Sequence, residues 1–414
     1  MAATDVLTDE QFDRWLADAS RGPATVVGLD LTARPLSIAD EDLGATVFVG
    51  CQVTGELAAR LAAQGCSVLG EVDALPIPVG RRDVYRVAEL YGGFDPAEPG
   101  SWSRTLDHRG WQWFIDPDLA VPRTLDTAGL LGARIHDAMI EAALGRCLRS
   151  LNRPVVGVMG GHDTARSNPL YADIARFARE VTRRGRLILT GGGPGLMEAA
   201  NLGAFLAPYD DAELEHAMAT LRPASDYTSH EWLATACAVR TRLLGAWRAE
   251  EEPASCSIGV PTWLYGHEPP NLFATHSAKL FFNAVREDGL VTIADGGILF
   301  AEGNAGTVQE LFQDATQNYY RPSGPDAPPP TPMVLFGRDY WSRPAHEPPT
   351  PDPTTGTITD KRKPLLPLLG QLAAEKAFAD AILVTSDLEA ALDHLAPRPV
   401  EAHAERGLAW RRAD

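Results

Sequence analysis

Apolar positions along this chain fall into short uninterrupted runs separated by stretches in which they recur every three or four residues. Residues 45–51 (ATVFVGC) form a run that predicts a buried strand, residues 55–64 place apolar side chains on one helical face, and residues 67–69 predict the next strand. That is one βαβ unit. From there to about residue 122 the chain is rich in Gly, Pro and Trp and keeps no clean period, which predicts an irregular cap. Residues 127–151 then carry apolar side chains at helical spacing, with His136-Asp137 read as surface polar groups, and Asn152-Arg153-Pro154 predicts a break.

Beyond the break, strands and helices alternate. Strands are predicted over 155–159, 187–189, 257–260, 290–294, 333–336 and 381–384, and helices over 169–183, 194–205, 271–285, 306–317 and 365–377. The pattern predicts an α/β protein: a Rossmann-like, doubly wound, mostly parallel sheet with an additional N-terminal α/β domain. The expected division is residues 1–150 as a structural or regulatory domain, 151–396 as the nucleotide-binding catalytic domain and 397–414 as a C-terminal tail. The N-terminal turn Gly50-Cys51-Gln52-Val53-Thr54-Gly55 lacks the closely spaced glycines that phosphate approach requires, so no active site is expected there. Pro-rich residues 321–332 and 344–354 read as surface loops, with an ordered lid as the alternative for the first.

The chain has 414 residues, 45% of them hydrophobic, enough to bury a large core. A net charge of −18 with no basic stripe argues against a nucleic-acid partner. The five cysteines are scattered without CxxC spacing, as expected of thiols in a reducing cytoplasm rather than of a zinc site or disulfide framework. The ten histidines show no metal-ligand spacing. The first residues are acidic without an apolar core, and no apolar stretch approaches membrane-spanning length, so no membrane partner is expected.

Two glycine clusters fall where strands should end. At Thr190-Gly191-Gly192-Gly193-Pro194-Gly195 an apolar run meets three consecutive glycines and then a helix-forming segment beginning near Leu196. Glycines admit positive φ and let backbone N–H groups approach an anion, and a helix N-terminus adds its positive dipole end. Taken singly, such a turn also serves tight packing. The second cluster runs from Asp295-Gly296-Gly297 to Gly303-Asn304-Ala305-Gly306-Thr307, with the Thr307 hydroxyl in a first helical turn and Glu310 one turn deeper. On spacing alone Glu310 reads as a helix-capping acid.

Gly191-Gly192-Gly193-Pro194-Gly195-Leu196-Met197-Glu198-Ala199-Ala200-Asn201, taken with Gly306-Thr307-Val308-Gln309-Glu310, resembles the paired motifs GGGxGxMExxN and PGGxGTxxE of the Lonely Guy family, the lysine-decarboxylase-like phosphoribohydrolases. Over roughly residues 153 to 396 further pieces stand in order: Asn168-Pro169-Leu170-Tyr171, Ser257-Ile258-Gly259-Val260, Gly266-His267-Glu268, Pro270-Asn271, Val334-Leu335-Phe336-Gly337 and Ile382-Leu383-Val384. The layout is similar to that of the long bacterial nucleotide 5′-monophosphate nucleosidases. The resemblance implies hydrolysis of the N-glycosidic bond of a nucleoside 5′-monophosphate to free base and ribose 5-phosphate, with no cofactor, in a homo-oligomer.

Carried over residue by residue, the resemblance implies Glu310 as the carboxylate that stabilises a ribosyl cation and accepts the water proton. It implies Gly191, Gly192, Gly193, Gly195, Gly303, Gly306 and Thr307 around the 5′-phosphate. Glu198 would either face the ribose hydroxyls or cap a neighbouring loop. The family's PGG is matched either by Asp295-Gly296-Gly297 with a short insertion or by Glu302-Gly303-Asn304. Its Arg-Lys pair in the preceding helix has Lys279 as the nearest cation, within Thr275-His276-Ser277-Ala278-Lys279-Leu280, and Gly160-Gly161-His162 stands where a Gly-Ser pair is common. His162, Arg240, Arg242, Trp263 and Tyr265 are lesser candidates, each with a plainer reading as a solvated side chain or loop anchor. These departures keep a second function open, a nucleotide-binding sensor or carrier without hydrolysis, and a third, an interaction scaffold.

Overall fold

The computed structural model describes residues 4–34, 43–72, 75–251, 253–265, 268–322, 324, 327–344, 351, 355–358 and 360–395. Gly266, His267 and the expected tail 397–414 lie outside them, as does most of the 344–354 loop.

The chain opens with a four-stranded parallel sheet in chain order: β1 (Thr4–Val6), α1 (Asp9–Ala17), β2 (Ala24–Val27), β3 (Val47–Val49), α2 (Gly55–Ala63) and β4 (Ser67–Leu69). Val6, Phe12, Val26, Phe48, Leu57 and Leu61 close a core of its own. Next come α3 (Val87–Leu90), α4 (Leu106–Phe114), the two-strand ladder β5 (Ile115–Asp116) with β6 (Val121–Pro122), and the long helix α5 (Thr127–Leu151), which ends at Asn152 in the left-handed region.

The expected boundary at residue 150 needs correction. Leu75, Val84, Tyr85, Phe114, Ile140 and Leu144 belong to the same buried cluster as the strands of the large sheet, so the two cores divide between Cys66 and Leu75. The break at Asn152-Arg153-Pro154 separates α5 from β7 within one core. His136 and Asp137, read as surface groups, are buried on the α5 face that meets the large sheet. Between the small sheet and the rest of the molecule lies a cleft of about 1420 Å³, lined in part by Gly28, Gly50, Arg81, Arg86 and His276.

The remainder builds a seven-stranded parallel sheet from β7 (Val155–Met159), α6 (Pro169–Arg183), β8 (Leu187–Thr190), α7 (Leu196–Phe205), α8 (Asp211–Leu221), α9 (His230–Leu244), β9 (Ser257–Gly259), β10 (His276–Ser277), α10 (Asn283–Ile293), β11 (Ile298–Phe300), α11 (Ala305–Tyr320), β12 (Met333–Phe336), α12 (Arg338–Trp341), α13 (Leu366–Glu375), β13 (Ile382–Thr385) and α14 (Leu388–His394). The strand order is β10-β9-β8-β7-β11-β12-β13. Every residue of β7, β8 and β12 is buried, as a sheet covered on both faces requires. The fold is therefore the doubly wound α/β sheet, with an additional small N-terminal α/β layer. From β7 the chain winds outward through β8, while β11 pairs with the other edge of β7. The winding reverses at this pair, which opens a crevice at the strands' carboxyl ends.

Two predicted elements are wrong. Residues 290–294 are not a strand but the last turn of α10, and the strand lies at Ile298–Phe300. The helix expected over 271–285 is instead mostly irregular chain carrying the short β10, with α10 starting only at Asn283. The short apolar run over Leu290, Val291, Ile293 and Ala294 satisfies either period, and Gly297 at φ +105° makes the turn into β11. No helix among the described residues is long and apolar enough to cross a membrane.

Candidate functional site

The loops after β7, β8 and β11 meet at the crevice. Thr190 closes the first glycine turn, its Oγ1 accepting the Gly192 N–H at 2.9 Å and donating to Asn201 Oδ1 at 2.8 Å. Asn271 holds the same turn from the other side, donating to the Gly193 carbonyl at 3.0 Å and to Asn201 Oδ1 at 2.9 Å. Gly192 and Gly195 have φ of +75° and +66°, and a Cβ at Gly195 would strike the Gly161 carbonyl. Only glycine fits there. The Gly161 N–H donates to the Glu302 carbonyl at 2.8 Å and the Leu196 N–H to the Gly161 carbonyl at 3.0 Å, tying the three loops together.

Glu302-Gly303-Asn304 makes the turn from β11 into α11, whereas Asp295-Gly296-Gly297 lies before β11, at the opposite end of the sheet. Of the two segments weighed in the sequence, residues 302–304 are therefore the ones beside the first glycine turn. Gly303 is clasped by the Tyr340 hydroxyl, which bonds its carbonyl and lies 3.3 Å from its N–H, and Thr307 packs against it. Neither α7 nor α11 has a side-chain N-cap, in contrast to α6, capped by Asn168. Both helices therefore start without a side-chain acceptor for their first-turn N–H groups, of which that of Leu196 is taken by the Gly161 carbonyl.

Between the two turns sits a buried cluster that the sequence reading missed. Arg286, one turn into α10, donates from Nε to the Val260 carbonyl at 3.0 Å and from Nη1 to Glu287 at 2.6 Å, and its Nη1 stands 3.7 Å from Glu310 Oε1. Its guanidinium also abuts Gly191, where any Cβ would collide with it. Arg286, Glu287 and Glu310 are each at most 7% exposed. Two carboxyl groups thus share one guanidinium in a dry setting. Burial pushes the Glu310 carboxyl up to about 8, Arg286 opposing the rise and Glu287 adding to it. Glu287 Oε2 has no hydrogen-bond partner among the described residues.

Lys279, expected as the catalytic cation, is not at this site. Its ammonium is fully buried in an ion pair with Asp107 and lies 5.2 Å over the Trp263 ring. Arg286 is the cation that stands beside Glu310 instead. The helix expected over 271–285 stops just before Arg286-Glu287, and that adjacent charged pair is the signal the sequence offers.

Of the two readings left open for Glu198, ribose hydroxyls or a neighbouring loop, its partners agree with the second. Both its oxygens are engaged, by Arg166 at 2.8 and 2.5 Å and by the Tyr171 hydroxyl at 3.0 Å, and it is fully buried. Arg166 spends its remaining donors on the Ala224 and Trp232 carbonyls and on Thr235, so the pair braces the α9 region.

Of the lesser candidates, His162 stands at the mouth, 3.6 Å from Glu268 and edge-on to Tyr227. Tyr265 is 42% exposed, while Trp263 is a buried anchor donating to the Asp107 carbonyl. Arg240 is buried against backbone carbonyls and Glu251, and Arg242 pairs with Glu213 on the surface. Among the described residues no three His, Cys, Asp or Glu side chains could hold a metal ion.

Fold and site together define a class: a doubly wound α/β protein with two glycine-turn helix N-termini facing a buried arginine–carboxylate cluster. No family model and no curated protein matches the chain. Among solved structures it is similar to the molybdenum cofactor binding protein from the phototrophic bacterium Rippkaea orientalis, at 15% identity and a TM-score of 0.30, over 58% of this chain and 94% of that one.

Proposed function

We propose that this protein hydrolyses the N-glycosidic bond of nucleoside 5′-monophosphates, releasing the free base and ribose 5-phosphate. The observation that carries the reading is the buried Glu310 carboxyl, 3.7 Å from Arg286 and on the helix that the second glycine turn opens; burial raises it to about 8. The first-turn N–H groups of α11 and those of α7 beyond Leu196, with Thr307, hold the 5′-phosphate, and that remote contact positions the ribose for the chemistry.

Glu310 enters the reaction protonated. It gives its proton to the departing base as the C1′–N bond breaks, and the carboxylate so formed faces the ribosyl cation. It then takes a proton from the water that adds to C1′, which restores the acid. Proton and electron pair balance over the cycle, and no cofactor enters. Arg286 keeps the carboxylate state within reach at neutral pH.

A cytoplasmic setting suits the five cysteines, all free thiols. No nucleic-acid polymer and no membrane is proposed as partner, in keeping with the net charge of −18, and a homo-oligomer is carried from the resemblance. The test is incubation of the purified protein with a panel of nucleoside monophosphates, followed by chromatography. Free base from at least one, lost in Glu310→Gln, supports hydrolysis; calorimetric binding with every nucleotide intact leaves a nucleotide carrier instead.

A further inference from the structure

The helix that carries Arg286 and Glu287 is held at its start by a group from elsewhere in the chain. Its own N-cap, Phe282, contributes no side-chain bond. Asp137, from the middle of α5, accepts the Phe281 N–H on Oδ1 and the Phe282 N–H on Oδ2, both at 2.9 Å. A carboxylate there satisfies donors that the helix leaves open and favours its dipole.

Asp137 is itself oriented. His136 Nδ1 lies 3.1 Å from Asp137 Oδ1, and His136 Nε2 lies 2.8 Å from the Tyr85 hydroxyl. Tyr85, His136 and Asp137 are all buried. Burial disfavours the charged imidazole. A neutral ring has one N–H and one acceptor nitrogen, and donating from Nδ1 to Asp137 while accepting the Tyr85 O–H satisfies both. Tyr85 is pinned in turn: it exchanges two backbone hydrogen bonds with Ser277 at the edge of the large sheet, and the Arg81 guanidinium lies 4.0 Å over its ring.

The site is sensitive to where α10 begins. Arg286 sits one turn beyond the capped end, and its 3.7 Å approach to Glu310 is not closed by a hydrogen bond. A gap of this kind between buried charges changes energy steeply with small displacements. Among the described residues no hydrogen bond, ion pair or ring contact joins Tyr85, His136 or Asp137 to the glycine turns or to Glu310, so their effect on the site passes through α10.

We infer that Asp137, oriented by His136 and Tyr85, is a positioning group that sets the distance between Arg286 and Glu310. The inference rests on the proposed hydrolysis for its kinetic readout only. Asp137→Asn, Tyr85→Phe and His136→Asn are made in the full chain. The Glu310 titration is followed by carbon-13 NMR of labelled glutamate carboxyls, assigned against Glu310→Gln.

Asp137→Asn lets the first turn of α10 move away, and the Glu310 midpoint is expected to rise by about one pH unit or more as the nearby cation withdraws. In a hydrolysing enzyme kcat falls about 10- to 100-fold with KM little changed. Tyr85→Phe, which removes one oxygen, moves the midpoint the same way by less, and His136→Asn, which keeps a donor for Asp137, stays nearest the parent. A folded Asp137→Asn protein whose Glu310 midpoint is unchanged overturns the inference, whatever its Tm. If Asp137→Asn does not fold, Tyr85→Phe decides on the same readout. Should the parent protein cleave no nucleotide, the proposed function falls while the titration still judges the positioning.

Discussion

Replacing Glu310 by glutamine separates the catalytic reading from a structural one, because the two predict opposite changes in stability. The carboxyl is buried and its folded-state value, about 8, lies above its ordinary 4.5. A group raised on folding contributes fully below its unfolded value, and that contribution is lost as pH climbs toward the folded one. At about 1.4 kcal/mol per pH unit, the native state carries a penalty of roughly 3 kcal/mol at pH 7 relative to pH 4. Glutamine has the shape of the neutral acid and does not ionise. The variant should therefore melt above the parent at pH 7, by several degrees, and close to it at pH 4.

Turnover should move the other way. Glutamine can neither protonate the departing base nor accept the water proton, so the single-turnover rate of base release falls about 10²–10⁴-fold, while nucleotide affinity by calorimetry stays close to the parent's. In the parent, base release should decline as pH rises through about 8, since the reaction starts from the protonated acid. A variant that melts lower at pH 7 and turns over at the parental rate would refute the reasoning and return Glu310 to a helix-capping role.

The other predictions follow from the same geometry. Lys279→Met strands Asp107 in the core and should cost about 3–5 kcal/mol of stability in urea titration, with turnover per folded molecule unchanged. Arg166→Met strands Glu198 in the same way, and calorimetry on the folded fraction should give the parental nucleotide affinity. Gly195→Ala forces a side chain into the left-handed region and against the Gly161 carbonyl; about 1–3 kcal/mol of strain, borne by the phosphate turn, should weaken nucleotide binding roughly tenfold to a hundredfold.

Most of the large sheet was legible because its signals are local. Residues 127–151 and 169–183 keep a helical period between clear stops, and 155–159 and 333–336 are unbroken apolar runs that match their strands end for end. The glycine turns were legible for the same reason. β1 was not: it spans only Thr4–Val6, and two of those residues are exposed. Arg286 escaped because the end of α10 has the composition of a strand. The fates of Glu198, Lys279 and Asp137 were hidden for another reason. Each is decided by a partner far along the chain, Arg166, Asp107 and the Phe281 backbone, and a single sequence does not show which buried charges meet.

The central claim, that the C1′–N bond of a nucleoside 5′-monophosphate is the bond broken, is tested most directly by following the reaction mixture by proton and phosphorus NMR. The account predicts that ribose 5-phosphate grows in step with free base, one for one, and that no inorganic phosphate forms. Nucleoside with inorganic phosphate, or nucleotide that binds yet stays whole, would contradict it.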